Sequence, residues 1–237
     1  MRVLALVPAR NEAESLPTVV DALRQEDLGL DVLIVDDASI DSTSDIAEAL
    51  GLLRIRLCEH LGVGAAIRAG LRYAALLGYS IVVRIDGDGQ HPASEIHRVL
   101  EPILSGRADA VVGSRYTHPS SFPTSAPRRL AQRVAAAWVS ATAGQRVTDV
   151  TSGFWAFGPR AVRLLAVHHP TGYPEPELVM LLCRSGLRVA EVPIEMTARL
   201  AGTTSLTPGR LGLACVTIAL SLMIAPLRDT PGEVGGD

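Results

Sequence analysis

The sequence predicts an α/β fold: a mostly parallel central sheet with helices on both faces. Three observations predict it. Five short apolar runs, VLALVP (3–8), VLIVDD (32–37), SIVVRID (80–86), ADAVVGS (108–114) and RVAEVPIE (188–195), are continuous rather than alternating, as strands covered on both faces are. Segments of helical periodicity lie between them, the alternation that builds right-handed crossovers. Polar and charged residues then collect where the first four runs end, which in an open parallel sheet is one edge.

In chain order, Glu14–Gln25 has apolar positions at Leu16, Val19, Val20 and Leu23, the spacing of one helix face. Ser42–Leu50 opens on Ser/Thr/Asp capping chemistry, and the Ala-rich Gly64–Leu77 stops at Gly78. Ala93–Leu104 follows Pro92 and ends before Gly106. Thr117–Pro127 is rich in Pro and Ser and is expected as a mobile loop, suited to a lid over a site. Arg128–Ala143 reads as a helix with a basic first turn. A polar loop (Gly144–Gly153) and short helices around Arg160–Val167 and Glu177–Ser185 follow.

The 237 residues suffice for one large domain, and a composition of 48% hydrophobic and 20% charged residues excludes a disordered, collagen-like or coiled-coil chain. A net charge of −3 provides no general positive field, so nucleic acid is not an expected partner. All 22 basic residues are arginine, which excludes a Walker-type phosphate loop and Schiff-base chemistry, since each requires lysine. Cys58, Cys183 and Cys215 are far apart and contain no CxxC pair, so neither a zinc ribbon nor a disulfide framework is expected. The amino-terminal apolar run is too short for a signal peptide, and the expectation is a cytoplasmic protein.

One apolar stretch stands apart. Leu211–Leu227 carries no charge between Arg210 and Arg228 and is apolar all round. It falls short of the roughly 20 residues that a spanning helix needs. A membrane-interface or juxtamembrane helix is the favoured reading, with a true span and a buried helix as alternatives; the Gly-rich tail is expected to be mobile. The Arg128, Arg129 and Arg133 cluster reads either as a surface for anionic headgroups or a lipid phosphate, or as a solvated helix face.

The residues at the strand ends carry the chemistry. Asp86 and Asp88, separated and followed by glycine, can both reach one hard divalent cation, Mg²⁺ or Mn²⁺, which in turn binds substrate phosphates. His91 is either a further ligand or a turn residue before proline. Glu12 and Asp37 are candidates to accept hydrogen bonds from a nucleotide's base and ribose, or to cap helices. His60-Leu61-Gly62-Val63-Gly64 opens a helix whose first N–H groups can face phosphate.

Taken together, VPARNE, VDDASIDST, HLGVGAAIRAG, RIDGDGQHP, VVGSRY, DVTSGFWAF and EVPIEMTAR…GTTS resemble the ordered motifs of glycosyltransferase family 2, and among its members the dolichyl- or polyprenyl-phosphate sugar synthases. The resemblance implies a GT-A fold over residues 1–206, with 207–237 as a membrane-associated apolar helix and tail. It further implies a UDP- or GDP-linked sugar donor, a divalent metal and inversion at the anomeric carbon. It assigns Pro8, Arg10, Glu12 and Asp37 to nucleotide contacts, and Asp86, Asp88 and Gln90 to the metal and donor phosphates. Arg115 matches the arginine of the GSRY motif near the phosphates, and Asp149, Ser152 and Gly153 match an acceptor-side loop. The run Tyr173-Pro174-Glu175-Pro176-Glu177 departs from the lipid-phosphate enzymes, as does His60, where relatives often carry lysine or asparagine.

Transfer through an oxocarbenium-like state needs a stabilised leaving diphosphate and a nucleophile on the opposite face. Asp86, Asp88 and Arg115 or Arg199 are expected to serve the first. For a hydroxyl acceptor, as in cell-wall or polysaccharide synthesis, Asp149 and then Glu177 are the candidate general bases; a polyprenyl phosphate at the cytoplasmic face of a membrane is already anionic and needs none. A sugar nucleotidylyltransferase is disfavoured because PARNEAES has no glycine and the chain no lysine. A non-catalytic module leaves the paired aspartates without a use.

Overall fold

The computed structural model describes residues 1–116, 126–170 and 174–197. Five strands match the apolar runs: β1 (Val3–Ala9), β2 (Asp31–Asp36), β4 (Ile81–Arg84), β5 (Ala110–Ser114) and β7 (Val189–Pro193). Two more, β3 (Leu53–Arg56) and β6 (Trp155–Phe157), complete one sheet of order β3-β2-β1-β4-β6-β5-β7. Of these only β6 runs against its neighbours, pairing antiparallel with both β4 and β5. The reversal matters for the site: it brings the chain just before β6, residues 149–154, to the edge at which the parallel strands end.

The helices are α1 (Leu16–Gln25), α2 (Thr43–Ala49), α3 (Val63–Leu76), α4 (Ile96–Leu104), α5 (Ala126–Ala143), α6 (Pro159–His168) and α7 (Pro174–Arg184). A 3₁₀ turn, Ala93–Glu95, supplies the start of the expected fourth helix. Side chains alternate across each strand, so Leu4 and Leu6 of β1 join the core layer that α3, α5, α6 and α7 share. Ala5 and Val7 face α1, α2 and α4 in the other. Both faces are covered, which is why the runs are continuously apolar.

Among the described residues no helix is long and apolar enough to cross a membrane. The segment 211–227 and Arg199 lie outside the described residues, as does 117–125 of the expected lid. Ala126 and Pro127 belong to α5 rather than to a loop, proline being well suited to a helix's first turn.

Two features of this frame lead to tests. Gly70 of α3 lies against the side chain of Leu6, which is fully buried, and a Cβ there would overlap it. Gly70→Val is expected to lower stability by about 1–3 kcal/mol through overpacking, read as a shift in urea midpoint. His169, just after α6, is buried with no hydrogen-bond partner on either ring nitrogen. Burial, helped by the charges of Arg84 and Arg68, pushes its imidazole down to about 3. The neutral ring is thus favoured in the fold, so its stabilising share is present above pH ~6.5 and is lost as pH falls toward the folded value. Between pH 7 and 5 that loss amounts to about 1–2 kcal/mol, and His169→Gln is expected to flatten the pH dependence of the urea midpoint by this share.

Candidate active site

The loops after β1 and β2 are laced together. Asn11, in the left-handed region at φ 55°, donates its N–H to Ser39 Oγ (3.0 Å), and its Oδ1 accepts from the Ile40 N–H (2.9 Å). Asparagine tolerates this conformation better than most residues. The Glu12 N–H donates to Thr43 Oγ1 at 2.9 Å, and Ser15 Oγ donates to Glu12 Oε2 (2.8 Å) and to the Gly87 carbonyl (2.7 Å). Glu12 is thereby held beside the Asp86–Asp88 turn. Pro8 is buried in β1, whereas Arg10 is exposed at its end.

Asp37 is buried and fastens a turn more than twenty residues away in sequence. Its carboxylate accepts the N–H groups of Leu61 and Gly62, each at 2.8 Å, and meets His60 Nδ1 at 2.7 Å. The turn that opens α3 is thus fastened to the end of β2, and His60 faces the aspartate in this arrangement.

At the end of β4, Asp88 Oδ1 accepts the Gln90 N–H at 3.0 Å, and Thr197 fixes the same turn by donating Oγ1 to the Gly89 carbonyl (2.8 Å) and N–H to the Gln90 carbonyl (3.1 Å). His91 is buried, with its ring stacked on Phe154 at a centroid distance of 5.2 Å. Burial lowers its pKa despite the nearby Asp86 and Asp88, so its Nδ1 is an acceptor for the Asp86 N–H (3.4 Å), and its 3.8 Å approach to Asp86 Oδ2 is not an ion pair. The imidazole supports the turn from behind.

Arg84, the last residue of β4, is only 2% exposed. Its Nη1 donates to Glu175 at 3.1 Å and its Nη2 to Asp86 Oδ1 at 3.4 Å. Burial by itself would lower the guanidinium pKa; Asp86 and Glu175 outweigh it and hold the group above its ordinary value. Sequence reasoning chose Glu177 on α7, which is half-buried, yet the residue that reaches this network is Glu175. An arginine inside an otherwise apolar strand, IVVR, was the available signal.

Arg115 and Asp149 form the second buried pair. Nε donates to Asp149 Oδ2 at 2.7 Å and Nη2 to Oδ1 at 2.8 Å, a two-point fork, and the Arg115 N–H adds a third bond at 3.1 Å. Burial lowers and Asp149 raises the Arg115 pKa, with the net shift upward. Asp149 is 0% exposed and also accepts from Gln132 Nε2 and Thr151. Glu191 of β7 holds this loop from below, accepting the N–H groups of Thr148 and Asp149 at 2.9 and 2.7 Å. Ser152 accepts from the Phe154 N–H and the Trp155 indole, fixing the entry to β6. Gln132, Thr197 and Glu191 were not legible from sequence because each acts across a chain separation of 17 residues or more.

The donor set fits a hard divalent cation. Two carboxylates sit at one strand end, the Asp86 side chain is about one-third open at 32%, and the backbone beside it lacks Cβ atoms at Gly87 and Gly153. Among the described residues no three His, Cys, Asp or Glu side chains form a metal cluster, so the remaining positions would fall to water and substrate oxygens. The charges point the same way: Arg84 pairs with Asp86 and Glu175, Arg115 pairs with Asp149, and Asp88 adds a fourth buried or part-buried carboxylate in the same turn as Asp86. Those six groups carry an excess of negative charge that an incoming diphosphate would only increase.

The family pattern described as glycosyl transferase family 2 matches residues 5–165. The chain belongs to this family. It is 33% identical over 229 residues to an undecaprenyl-phosphate mannosyltransferase of Micrococcus luteus, covering 92% of this chain and 93% of the relative. It is 30% identical over 228 residues to a polyprenol monophosphomannose synthase of Mycolicibacterium smegmatis, covering 92% and 86%. Among solved structures, glucosyl-3-phosphoglycerate synthase of Mycobacterium tuberculosis superposes with a TM-score of 0.73 at 20% identity, over 97% of this chain and 81% of that one, a likeness of fold. The protein is a nucleotide-sugar-dependent glycosyltransferase with the GT-A fold.

Gly153 offers a direct test of the site. A Cβ there would sit 2.5 Å from Asp86 Oδ2, and no positive φ makes alanine strained at that position. Gly153→Ala is expected to displace the Asp86 carboxylate and cut kcat about a hundredfold while leaving the thermal midpoint nearly unchanged. An equal fall in activity and folded fraction would instead mean a loss of fold.

Proposed function

We propose that this enzyme transfers a hexose, with inversion, from a nucleoside diphosphate sugar to a polyprenyl phosphate presented at a membrane. The single observation that carries the reading is the condition of Asp149. Both its oxygens are engaged by Arg115, with Gln132 and Thr151 adding further bonds to Oδ1, so the first-choice general base would have to abandon a buried bidentate pair before it took a proton. A hydroxyl acceptor requires such a base; a phosphate monoester arrives as an anion and does not. Two relatives carry names that denote polyprenyl-phosphate mannosyltransfer, which supports the same acceptor and favours mannose among the sugars to test.

In this reading Pro8, Arg10 and Glu12 line the nucleoside end of the donor, and Asp37 keeps the α3 turn in place beside it. Asp86 and Asp88, with Gln90, hold the divalent ion and orient the diphosphate. When bound, the metal ion would supply positive charge for the oxygen that leaves. A fold neighbour has been solved with Mn²⁺ and UDP, which supports Mn²⁺ or Mg²⁺ here. Arg115, made rigid by Asp149, presents its guanidinium toward the phosphates as a fixed cation needing no reorganisation. A phosphate oxygen of the acceptor attacks the anomeric carbon from the face opposite the diphosphate; the old C–O bond breaks and its electron pair departs on the β-phosphate oxygen. Asp149 is here a positioning residue, and Glu177 is left to the acceptor side.

The test pairs undecaprenyl phosphate with undecaprenol, using GDP-mannose and UDP-sugars as donors and Mn²⁺ or Mg²⁺. Transfer to the phosphate, none to the alcohol, and loss of activity with EDTA or in Asp88→Asn are expected. Equal transfer to the alcohol, or full activity in Asp88→Asn, overturns the reading.

A further inference from the structure

The Asp37 carboxylate is turned to the protein rather than to solvent. It is 3% exposed, and it accepts the Leu61 and Gly62 N–H groups at 2.8 Å each while Oδ2 also meets His60 Nδ1 at 2.7 Å. An ionised carboxylate only accepts, so the proton of this last bond sits on Nδ1. The neutral imidazole then carries its lone pair on Nε2, a tautomer set by the aspartate. The His60 side chain is 53% exposed, and its one bond among the described residues is the one from Nδ1.

The surroundings suit a flat ring. Ile40, on the loop after β2, is 90% exposed, and Leu61, next to His60, is 52% exposed. The Ile40 N–H is tied to Asn11 Oδ1 on the β1 loop at 2.9 Å, so its backbone is fixed. Arg56 ends β3 alongside, half-exposed, with Nη2 donating to the Ser39 carbonyl at 3.1 Å. Apolar side chains, one acceptor and one guanidinium thus collect where β2 and β3 end, the edge at which an open sheet takes its ligand.

We infer that His60, oriented by Asp37, selects the nucleobase of the donor: its Nε2 accepts the ring N–H of a base that presents N–H beside a carbonyl, and Arg56 serves the carbonyl. Uracil and guanine both carry that edge. Adenine and cytosine place a ring lone pair there, and two acceptors would face each other. A site built to hydrogen-bond a group rejects the analogue lacking it far more strongly than an apolar pocket does. The lysine that relatives often carry at this position only donates, so histidine changes what can be read. This role rests on the nucleoside end lying at this edge, as in the proposed function, but not on the acceptor, since nucleotide binding needs no polyprenyl phosphate.

Calorimetry on the full-length protein with Mn²⁺ compares GDP, UDP, ADP and CDP. GDP or UDP is expected to bind about tenfold or more tighter than ADP and CDP. The N1-methyl derivative of GDP or the N3-methyl derivative of UDP, each lacking the ring N–H, loses about tenfold on the wild type and almost nothing on His60→Phe. His60→Gln, whose amide can offer either an oxygen or an N–H, narrows the base preference while keeping affinity for the better nucleotide. Equal weakening of all four nucleotides in His60→Phe marks a structural loss and overturns the proposal. So does an unchanged preference, or a methylation penalty that is the same in wild type and variant. Binding of none of the four overturns both this role and the donor site, whereas an intact His60-dependent preference without transfer to undecaprenyl phosphate supports this role and overturns the acceptor reading alone.

Discussion

The arrangement of this site depends on a guanidinium buried where water would otherwise be needed. Arg84 lies inside the sheet between layers, and it is tolerated only because Asp86 and Glu175 each offer an oxygen. That condition links three parts of the chain: β4 supplies the arginine, the turn after it the first carboxylate, and the start of α7 the second. The interior charge therefore acts as a locating pin. Any shift of α7 or of the Asp86–Asp88 turn would leave a cation desolvated and partly unpaired, which is far more costly than the net worth of the pair itself.

The Arg115–Asp149 fork repeats the device on the neighbouring strand, with Glu191 beneath it as a third support. Between the two pairs stands Gly153, whose missing side chain lets the β6 entry loop close against Asp86. The single reversed strand makes this possible. A parallel β6 would have delivered its entry loop to the far edge of the sheet, and the Asp149–Gly153 loop and the Asp86–Asp88 turn would never have met. The buried charges hold the site rigid before any ligand arrives, which is the condition for electrostatic stabilisation of a leaving diphosphate.

Much of this was legible in the sequence, for physical reasons. β1, β2, β4, β5 and β7 announce themselves because burial on both faces demands unbroken apolar runs. β3 does not, since LRIR lies on the sheet edge with most of its side chains exposed, and WAF of β6 is too short to show any period. In the site, Asp86 and Asp88 are two residues apart in sequence and declare a shared task, whereas Arg84 and Glu175 are 91 residues apart and meet only through the fold. Asp149 illustrates the limit more sharply. Residue type marks it as acidic and loop-borne, which suits a base. Its saturation by Arg115, Thr151 and Gln132 is a matter of packing that no local pattern records.

The same saturation bears on why an anionic acceptor suits this fold. The carboxylates around Asp86 outnumber the arginines among them, so a second anion near the diphosphate would be repelled unless cations face both substrates. In the proposed reading, a divalent ion held by Asp86 and Asp88 would offset the charge on the donor side, and the fixed guanidinium of Arg115 would then not be the only cation open to the donor. An acceptor phosphate would then meet Asp149, Asp86 and Glu175 already engaged by arginine, and Asp88 by a backbone N–H. A hydroxyl acceptor would need one of those groups released, at the cost of leaving its buried cation unpaired. In the proposed reading, the buried pairs that give the site its rigidity also discriminate between the two kinds of nucleophile, in favour of the one that carries its own charge.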